Sequence, residues 1–417
     1  MSSDEAILFN NSLTYTLPVP SSVVVNKTKK RSYFQNRSYA SGQTMVCTLN
    51  SGSSYADLAN SNLVVKIKVT STNANPFNVT FGNGSAMNIV ENIRINHRSG
   101  TQYTNTQKMN AYRVLEDRNC ESENWYATVG KVMGYDQDLL SGFSTATPER
   151  TFVIPIKKVH NFFSPHGGDG ILLPPQMQSG LRVEVDLATL GTIFKDLAVV
   201  GNDLPTDYEI TDIYFDMESV DLMDSAQAAV NTNSQRRGIE YLFSDIFTSR
   251  STNPSNSTAI NVDINKSVSY AEKVMAVIQT NANQNNLSAD SFVTPYLSGN
   301  WWYELGSNQY PSNQKIDDRV VAYMNNLSVW QKLKGKCGER GETALTRVGY
   351  EAEYGTYATS LELDSALALS GMPVTSSRVL RFSLDLDSPL ANDSTCLVFM
   401  CFLTSVRSTL TSSRADI

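Results

Sequence analysis

Histidine, cysteine and charge are all scarce in this chain, and each scarcity removes a class of function. There are three histidines in 417 residues, His97, His160 and His166, and none stands in an HxH or HExxH pattern. A zinc or copper site built on imidazoles would need all of them to converge from separate segments, so they read as ordinary loop histidines and no metal or other cofactor is expected. The five cysteines, Cys47, Cys120, Cys337, Cys396 and Cys401, form no CxxC pair and no dense framework. That usage points to folding in a reducing compartment rather than to a secreted disulfide scaffold. Neither a GxSxG elbow nor a GxxxxGK[ST] loop is present, which removes the commonest hydrolase and nucleotide signatures. The longest apolar run, 396–403, is far short of the roughly 20 residues that a membrane-spanning helix needs. The start, Met1-Ser2-Ser3-Asp4-Glu5, lacks the basic and apolar regions of a signal peptide, so entry into the secretory pathway is not expected.

Charged residues make up only 18% of the chain and the net charge is −7, which argues against coating nucleic acid over a broad surface. The basic residues that are present cluster locally. Lys27, Lys29, Lys30, Arg31 and Arg37, interleaved with Tyr33 and Phe34, form the best candidate for contact with nucleic acid or an acidic partner. The alternative is a solvated arm ahead of the first strand.

Against these absences stands an abundance of Asn, Ser and Thr, the residues on which turns draw, together with 41% hydrophobic residues, enough for two cores. Period-two alternation places strands at 44–49, 63–70, 88–96, 151–156, 181–187 and 209–220 in the first half. In the second half it places them at 239–248, 258–264, 273–279, 357–363, 379–386 and 396–407. Helices are expected at 107–118, 121–132 and 319–333, and the polar stretch 224–237 reads as a short helix and linker. The excursions 107–142 and 281–318 are longer than compact domains usually tolerate without a functional or interfacial reason.

The two halves echo each other. Leu181-Arg182-Val183-Glu184-Val185-Asp186-Leu187 returns 199 residues later as Leu380-Arg381-Phe382-Ser383-Leu384-Asp385-Leu386. Ser54-Tyr55-Ala56-Asp57 returns 215 residues later as Ser269-Tyr270-Ala271-Glu272, in the same order along the chain. Unequal offsets are what two copies of one fold with different loops produce, and a period of about 200 residues suffices for an independent core. Two consecutive eight-stranded β-sandwiches are therefore expected, and the jelly roll is the natural eight-stranded case. The boundaries are set at 1–40 for an N-terminal arm, 41–223 for the first sandwich, 224–237 for the linker and 238–417 for the second.

Three local features carry further expectations. The run 396–403 is apolar on both faces, so it is covered twice, by its own core and by the sister domain, a helix or a neighbouring subunit; a central strand beneath its own domain's helix is the plainer alternative. Trp301, Trp302 and Tyr303 sit in an Asn-rich stretch and read as an exposed loop serving a sugar or a subunit contact, or as a loop folded on a small core of its own. Glu351 with Glu353 offers a carboxylate pair for glycoside chemistry, with a solvated charge run as the alternative, and 167–170 has the flavour of a calcium turn or a plain one.

With the repeat and the strands in place, the sequence resembles the double jelly-roll major capsid proteins of small double-stranded DNA viruses of eukaryotes, such as polinton-like viruses, adintoviruses and virophages. The resemblance rests on Gly42-Gln43-Thr44 leading to Leu49-Asn50-Ser51, on the stretch from Tyr55 to Leu63, and on Ile93-Arg94-Ile95 with Arg98-Ser99-Gly100. Leu369-Ser370-Gly371-Met372 ahead of Arg378-Val379-Leu380-Arg381-Phe382 completes it. It implies a structural protein and not an enzyme: a homotrimer whose six jelly rolls form a pseudo-hexameric capsomer, tiled with neighbouring capsomers into an icosahedral virion shell. Penton and minor capsid proteins are implied partners, and assembly takes place in the host cytoplasm or nucleus. The excursions 107–142 and 281–318 would lie at the exterior and at contacts within the trimer. The basic arm at 27–37 would lie at the inner face, with weak contact to packaged DNA. Trimerisation would bury the doubly apolar surface, leaving the isolated monomer poorly stable. The rival is a carbohydrate-binding or carbohydrate-active double sandwich with the Trp301 stretch as its platform.

Overall fold

The computed structural model describes residues 24–50, 52–135, 142–165, 171–197, 202–237, 239–311, 316, 318–331, 343–361, 370–408 and 415–416. The principal strands of the first half are β1 (Val24–Tyr33), β2 (Thr44–Leu49), β3 (Tyr55–Thr70), β4 (Val90–Asn96), β5 (Gln102–Gln107), β6 (Glu149–Pro155), β7 (Leu181–Leu187) and β8 (Asp207–Leu222). Those of the second are β9 (Ile239–Asn253), β10 (Ala259–Ile264), β11 (Val268–Thr280), β12 (Gly299–Leu305), β13 (Asn308–Tyr310), β14 (Tyr357–Ser360), β15 (Leu380–Leu386) and β16 (Ser394–Ser408). The longer helices are α1 (Met109–Cys120), α2 (Asp224–Arg237), α3 (Arg319–Gln331) and α4 (Arg347–Ala352).

The two halves have one strand order. In the first, β1, β8, β3 and β6 lie side by side in one antiparallel sheet and β2, β7, β4 and β5 in the other. In the second, the orders are β9, β16, β11, β14 and β10, β15, β12, β13. Each is a jelly roll, with successive strands alternating between two facing sheets except at the hairpins β4–β5 and β12–β13. The echoed segments fall on equivalent strands. Leu181–Leu187 is β7, between β2 and β4, and Leu380–Leu386 is β15, between β10 and β12. The Ser-Tyr-Ala-acid echo opens β3 and β11. In both copies its acid reaches the first strand of the sandwich: Lys27 Nζ donates to Asp57 at 3.2 Å, and Ser244 Oγ donates to Glu272 at 2.5 Å.

Alternation explains most of this. β7 buries Leu181, Val183, Val185 and Leu187 and turns Arg182, Glu184 and Asp186 outward, where Arg94 bridges Glu184 at 3.1 Å and Asp186 at 2.9 Å. The first core joins Phe34, Phe215, Ile213 and Val65 to Cys47, Ile93 and Val183; the second packs Trp301, Tyr303, Tyr357 and Phe382 between its sheets.

The expected strands all appear, most with ends shifted by a few residues; β3 starts eight residues earlier than expected, and 362–363 of the expected 357–363 lie outside the described residues. The structure adds β1, β5, β12 and β13. The stretch assigned to an arm therefore contains an edge strand: β1 pairs with β8 from Val24 to Tyr33, so the first sandwich begins before residue 41. Residues 281–318 do not form one external excursion, since 299–305 and 308–310 are strands of the second sandwich. Among the described residues no helix is long and apolar enough to cross a membrane.

Candidate assembly surfaces

α1 occupies the connection between β5 and β6, and almost every side chain on it is buried. It carries an ion pair, Arg113 with Glu116, both buried. Its C-terminal half is pinned where Asp117 accepts from Tyr135 Oη at 2.7 Å and from Lys158 Nζ at 2.6 Å, and Glu121 takes the same ammonium at 2.5 Å. Burial opposes the Lys158 charge, yet the two carboxylates hold its pKa well above the usual lysine value.

What α1 covers is the outer face of the second sandwich. The Tyr112 ring lies edge-on to Phe399 of β16 with centroids 5.6 Å apart, and Cys401 Sγ donates to its hydroxyl at 3.4 Å. α3 roofs the rest of that sheet, with Trp330 under the Lys273 ammonium, which lies 3.7 Å from its centroid, and Asn325 donating to the Ala358 carbonyl on β14. The helices touch each other where Asn326 Nδ2 donates to Asn119 Oδ1 at 2.7 Å. The doubly apolar strand is thus covered by its own core and by the sister sandwich, as expected of 396–403. Because that cover comes from within the chain, an unstable monomer no longer follows from this strand, and 109–120 lies between the sandwiches rather than at the exterior.

The junction continues on both sides. Phe162 packs on Tyr241 and Phe243 of β9 at 5.2 and 5.1 Å, and the Tyr241 hydroxyl donates to the Phe162 carbonyl. Thr104 and Thr106 of β5 face a buried polar group on β9: Thr104 Oγ1 donates to Asp245 at 2.5 Å, and Thr106 Oγ1 lies 3.0 Å from His160 Nε2. Burial pushes the Asp245 carboxyl up to about 6, although the Thr104 hydroxyl and the Ile246 amide oppose the shift. At the other end, the backbone of Asn285 approaches Gly191 so closely that a Cβ there would sit 2.5 Å from the Asn285 carbonyl carbon. Only glycine fits. Thr189 Oγ1 donates to Asn285 Oδ1 at 2.8 Å beside it.

Among the described residues nothing roofs the corresponding outer sheet of the first sandwich. Lys27 bridges Asp57 and Glu218 at 3.2 and 3.0 Å, Lys29 lies 3.6 Å from Asp216, and Lys66 and Lys68 pair with Glu149 and Glu209. The Glu218 and Asp57 hydrogen bonds raise the pKa of Lys27. Arg31 lies over the Tyr214 ring at 4.6 Å, Lys30 reaches Ser54 Oγ at 3.3 Å, and Arg37 is exposed in the bend after β1. Four of the five basic residues thus lie on an edge strand, where Lys27 and Lys29 are answered by acids of the same sheet.

Trp301, Trp302 and Tyr303 lie on β12, not on an exposed loop. Trp301 and Tyr303 are 0% exposed in the second core, and the Tyr303 hydroxyl donates to the Tyr357 carbonyl at 2.7 Å. Trp302, on the opposite face, is half-buried and donates to Glu304 Oε1 at 2.7 Å. Strand alternation sends the large rings inward, so the sugar platform is gone. Glu351 is held by Arg347 at 2.9 Å and Arg319 at 3.7 Å, and Glu353 accepts from Asn83 Nδ2 at 3.3 Å. Among the described residues no three His, Cys, Asp or Glu side chains converge as metal ligands, and His166 with 167–170 lies outside the described residues.

One surface escaped the sequence reading. α3 exposes Val320 (45%), Val321 (52%) and Met324 (59%) on one face, at the spacing that brings helix neighbours together, and Val348 on α4 is exposed as well. The expected helix at 319–333 was visible, but which of its faces the sandwich would leave open was not.

No family model matches the sequence, and no curated protein does. Solved structures do match. The PBCV-1 virus capsid structure aligns at a TM-score of 0.63 and 12% identity, covering 96% of this chain and 98% of that one. The Faustovirus major capsid protein aligns at 0.61 and 7% identity over 96% and 94%, and the mavirus major capsid protein at 0.51 and 8% identity over 97% and 93%. The likeness runs through both sandwiches, and what it establishes is the fold: a double jelly roll.

Proposed function

We propose that this chain is the major capsid protein of a double-stranded DNA virus. Three copies form a homotrimer whose six sandwiches make a pseudo-hexameric capsomer, and capsomers tile an icosahedral virion shell with penton and minor capsid proteins at its special positions. The observation that carries the reading is a pair of jelly rolls of identical strand order, locked side by side in one chain and matched end to end by capsid proteins. A unit of two equivalent sandwiches lets a threefold object occupy a sixfold lattice position, because closed rings arise from repeating one head-to-tail contact. In this reading the first sandwich ends near 223 and α2 joins it to the second. Any contact of 27–37 with packaged DNA in this reading falls to Lys30, Arg31 and Arg37, since Asp57, Asp216 and Glu218 already face Lys27 and Lys29. Light scattering on the purified protein tests the proposal: the expected mass is that of three 46.0 kDa chains at all working concentrations. A single-chain mass throughout would overturn it.

A further inference from the structure

We infer that the outer sheet of the first sandwich is the docking site for a second copy of this chain, and that the exposed face of α3 is what docks there. The inference rests on the trimer proposed above and names its contact. Within the chain, the two sandwiches meet in a head-to-tail manner: the β5–β6 connection of the first, with α1, lies on the sheet β9, β16, β11, β14 of the second. Such a contact uses one helix-bearing flank and one sheet face. Among the described residues it leaves open the opposite pair, the outer face of the sheet β1, β8, β3, β6 and the face of α3 that carries Val320, Val321 and Met324.

Both leftover surfaces have the composition of interfaces. Across the first sheet runs a row of directly opposed residues, Tyr33 with Tyr214, Tyr214 with Val64, and Val64 with Val153. Tyr33 is exposed and the others are half-buried, on the face turned away from Phe215 and Val65 in the core. Ion pairs flank the row, Lys66 with Glu149 and Lys68 with Glu209 on one side and Lys29 with Asp216 on the other. An apolar centre with a charged rim is the ordinary anatomy of a subunit contact. On α3, Val320, Val321 and Met324 offer the apolar counterpart. In the second sandwich one sheet row, Thr248, Phe399, Met275 and Ala358, is already covered, with Thr248 against β5, Phe399 under α1 and Ala358 under α3. A head-to-tail contact repeated between chains closes into a ring instead of a two-fold pair.

Cysteine cross-linking tests the geometry. The double variant Met324→Cys with Val64→Cys, oxidised with diamide, is expected to give a disulfide ladder on a non-reducing gel that ends at three chains. Either single variant alone is expected to stay as one chain, and a mixture of the two singles is expected to give cross-linked pairs. The pair Val321→Cys with Val153→Cys repeats the test at a second point should the first fold poorly. Three-chain particles that form no such disulfide with either pair would overturn this contact while leaving the capsid reading standing; residues 1–23 of the same chain covering the sheet would give that result. Cross-linking by Met324→Cys alone would mean a two-fold contact of α3 with itself and would overturn it too. A single-chain mass for the unmodified protein would instead remove the capsid reading.

Discussion

β8 and β16 hold the same place in the two sandwiches and are written differently. β8 alternates through its middle, burying Ile213, Phe215 and Met217 while Tyr214, Asp216 and Glu218 face out. β16 does not alternate between Cys396 and Leu403; every residue there is buried, half of them under the core and half under α1 and α3. One topology thus carries two outer faces, one laced with ion pairs and one apolar and roofed. The fold is set by the inner faces, which are alike; the order of the sandwiches within the chain is set by the outer ones.

The largest expected effect comes from charging the roofed face. Phe399→Asp empties a ring site and buries a carboxylate beneath Tyr112, and is expected to cost about 4–5 kcal/mol even with the Lys273 ammonium nearby. Lys68→Ala, in the exposed ion pair with Glu209 at the rim of the other face, is expected to move the urea unfolding midpoint little. Equal losses at the two positions would erase the difference between the faces.

Trp301→Ala comes next, at about 3–5 kcal/mol for emptying a fully buried indole site, against about 1 kcal/mol for Trp302→Ala. Glycan binding lost on either substitution with stability unchanged would restore the sugar platform that the burial of Trp301 removes.

Asp245 sharpens the comparison at the junction. Its carboxyl titrates at about 6 in the folded chain against an ordinary 3.8, so the neutral form is the one the fold favours. Stability from this group is complete below roughly pH 4 and is lost as pH rises through 6, by about 3 kcal/mol in all. Asp245→Asn, which keeps the shape and stays neutral, is expected to remove that part of the pH dependence and to be the more stable protein at pH 7.5. Identical pH profiles of melting would show that folding leaves the Asp245 carboxyl at its ordinary pKa.

The smallest effect belongs to the basic strand. Lys27→Ala and Lys29→Ala are expected to leave the melting temperature within about a degree of the parent, because exposed ion pairs contribute little. Nucleic-acid affinity that falls strongly with either change would make the cluster a binding site rather than a strand edge.

Much of this was legible in the residues. The Leu-Arg and Ser-Tyr-Ala echoes mark equivalent strands because the inner face and the acid that reaches the first strand recur in both copies. The double greasiness of 396–403 announced a second cover, and α1 supplies it. β1 was missed because an exposed edge strand has no buried face to leave a period in Val-Val-Asn-Lys-Thr-Lys-Lys-Arg-Ser-Tyr. β12 had the period, with Trp301, Tyr303 and Leu305 inward, but the Asn-rich approach and two adjacent tryptophans drew attention to a loop. The open face of α3 follows only from which side the sheet takes, and no local pattern holds that information.

A cryo-electron microscopy reconstruction of the purified particle tests the central claim most directly. The account predicts a threefold particle of six upright sandwiches, in which α3 of each chain covers Tyr214, Val64 and Val153 of the next. A single chain, or a two-fold dimer with that sheet bare to solvent, would contradict it.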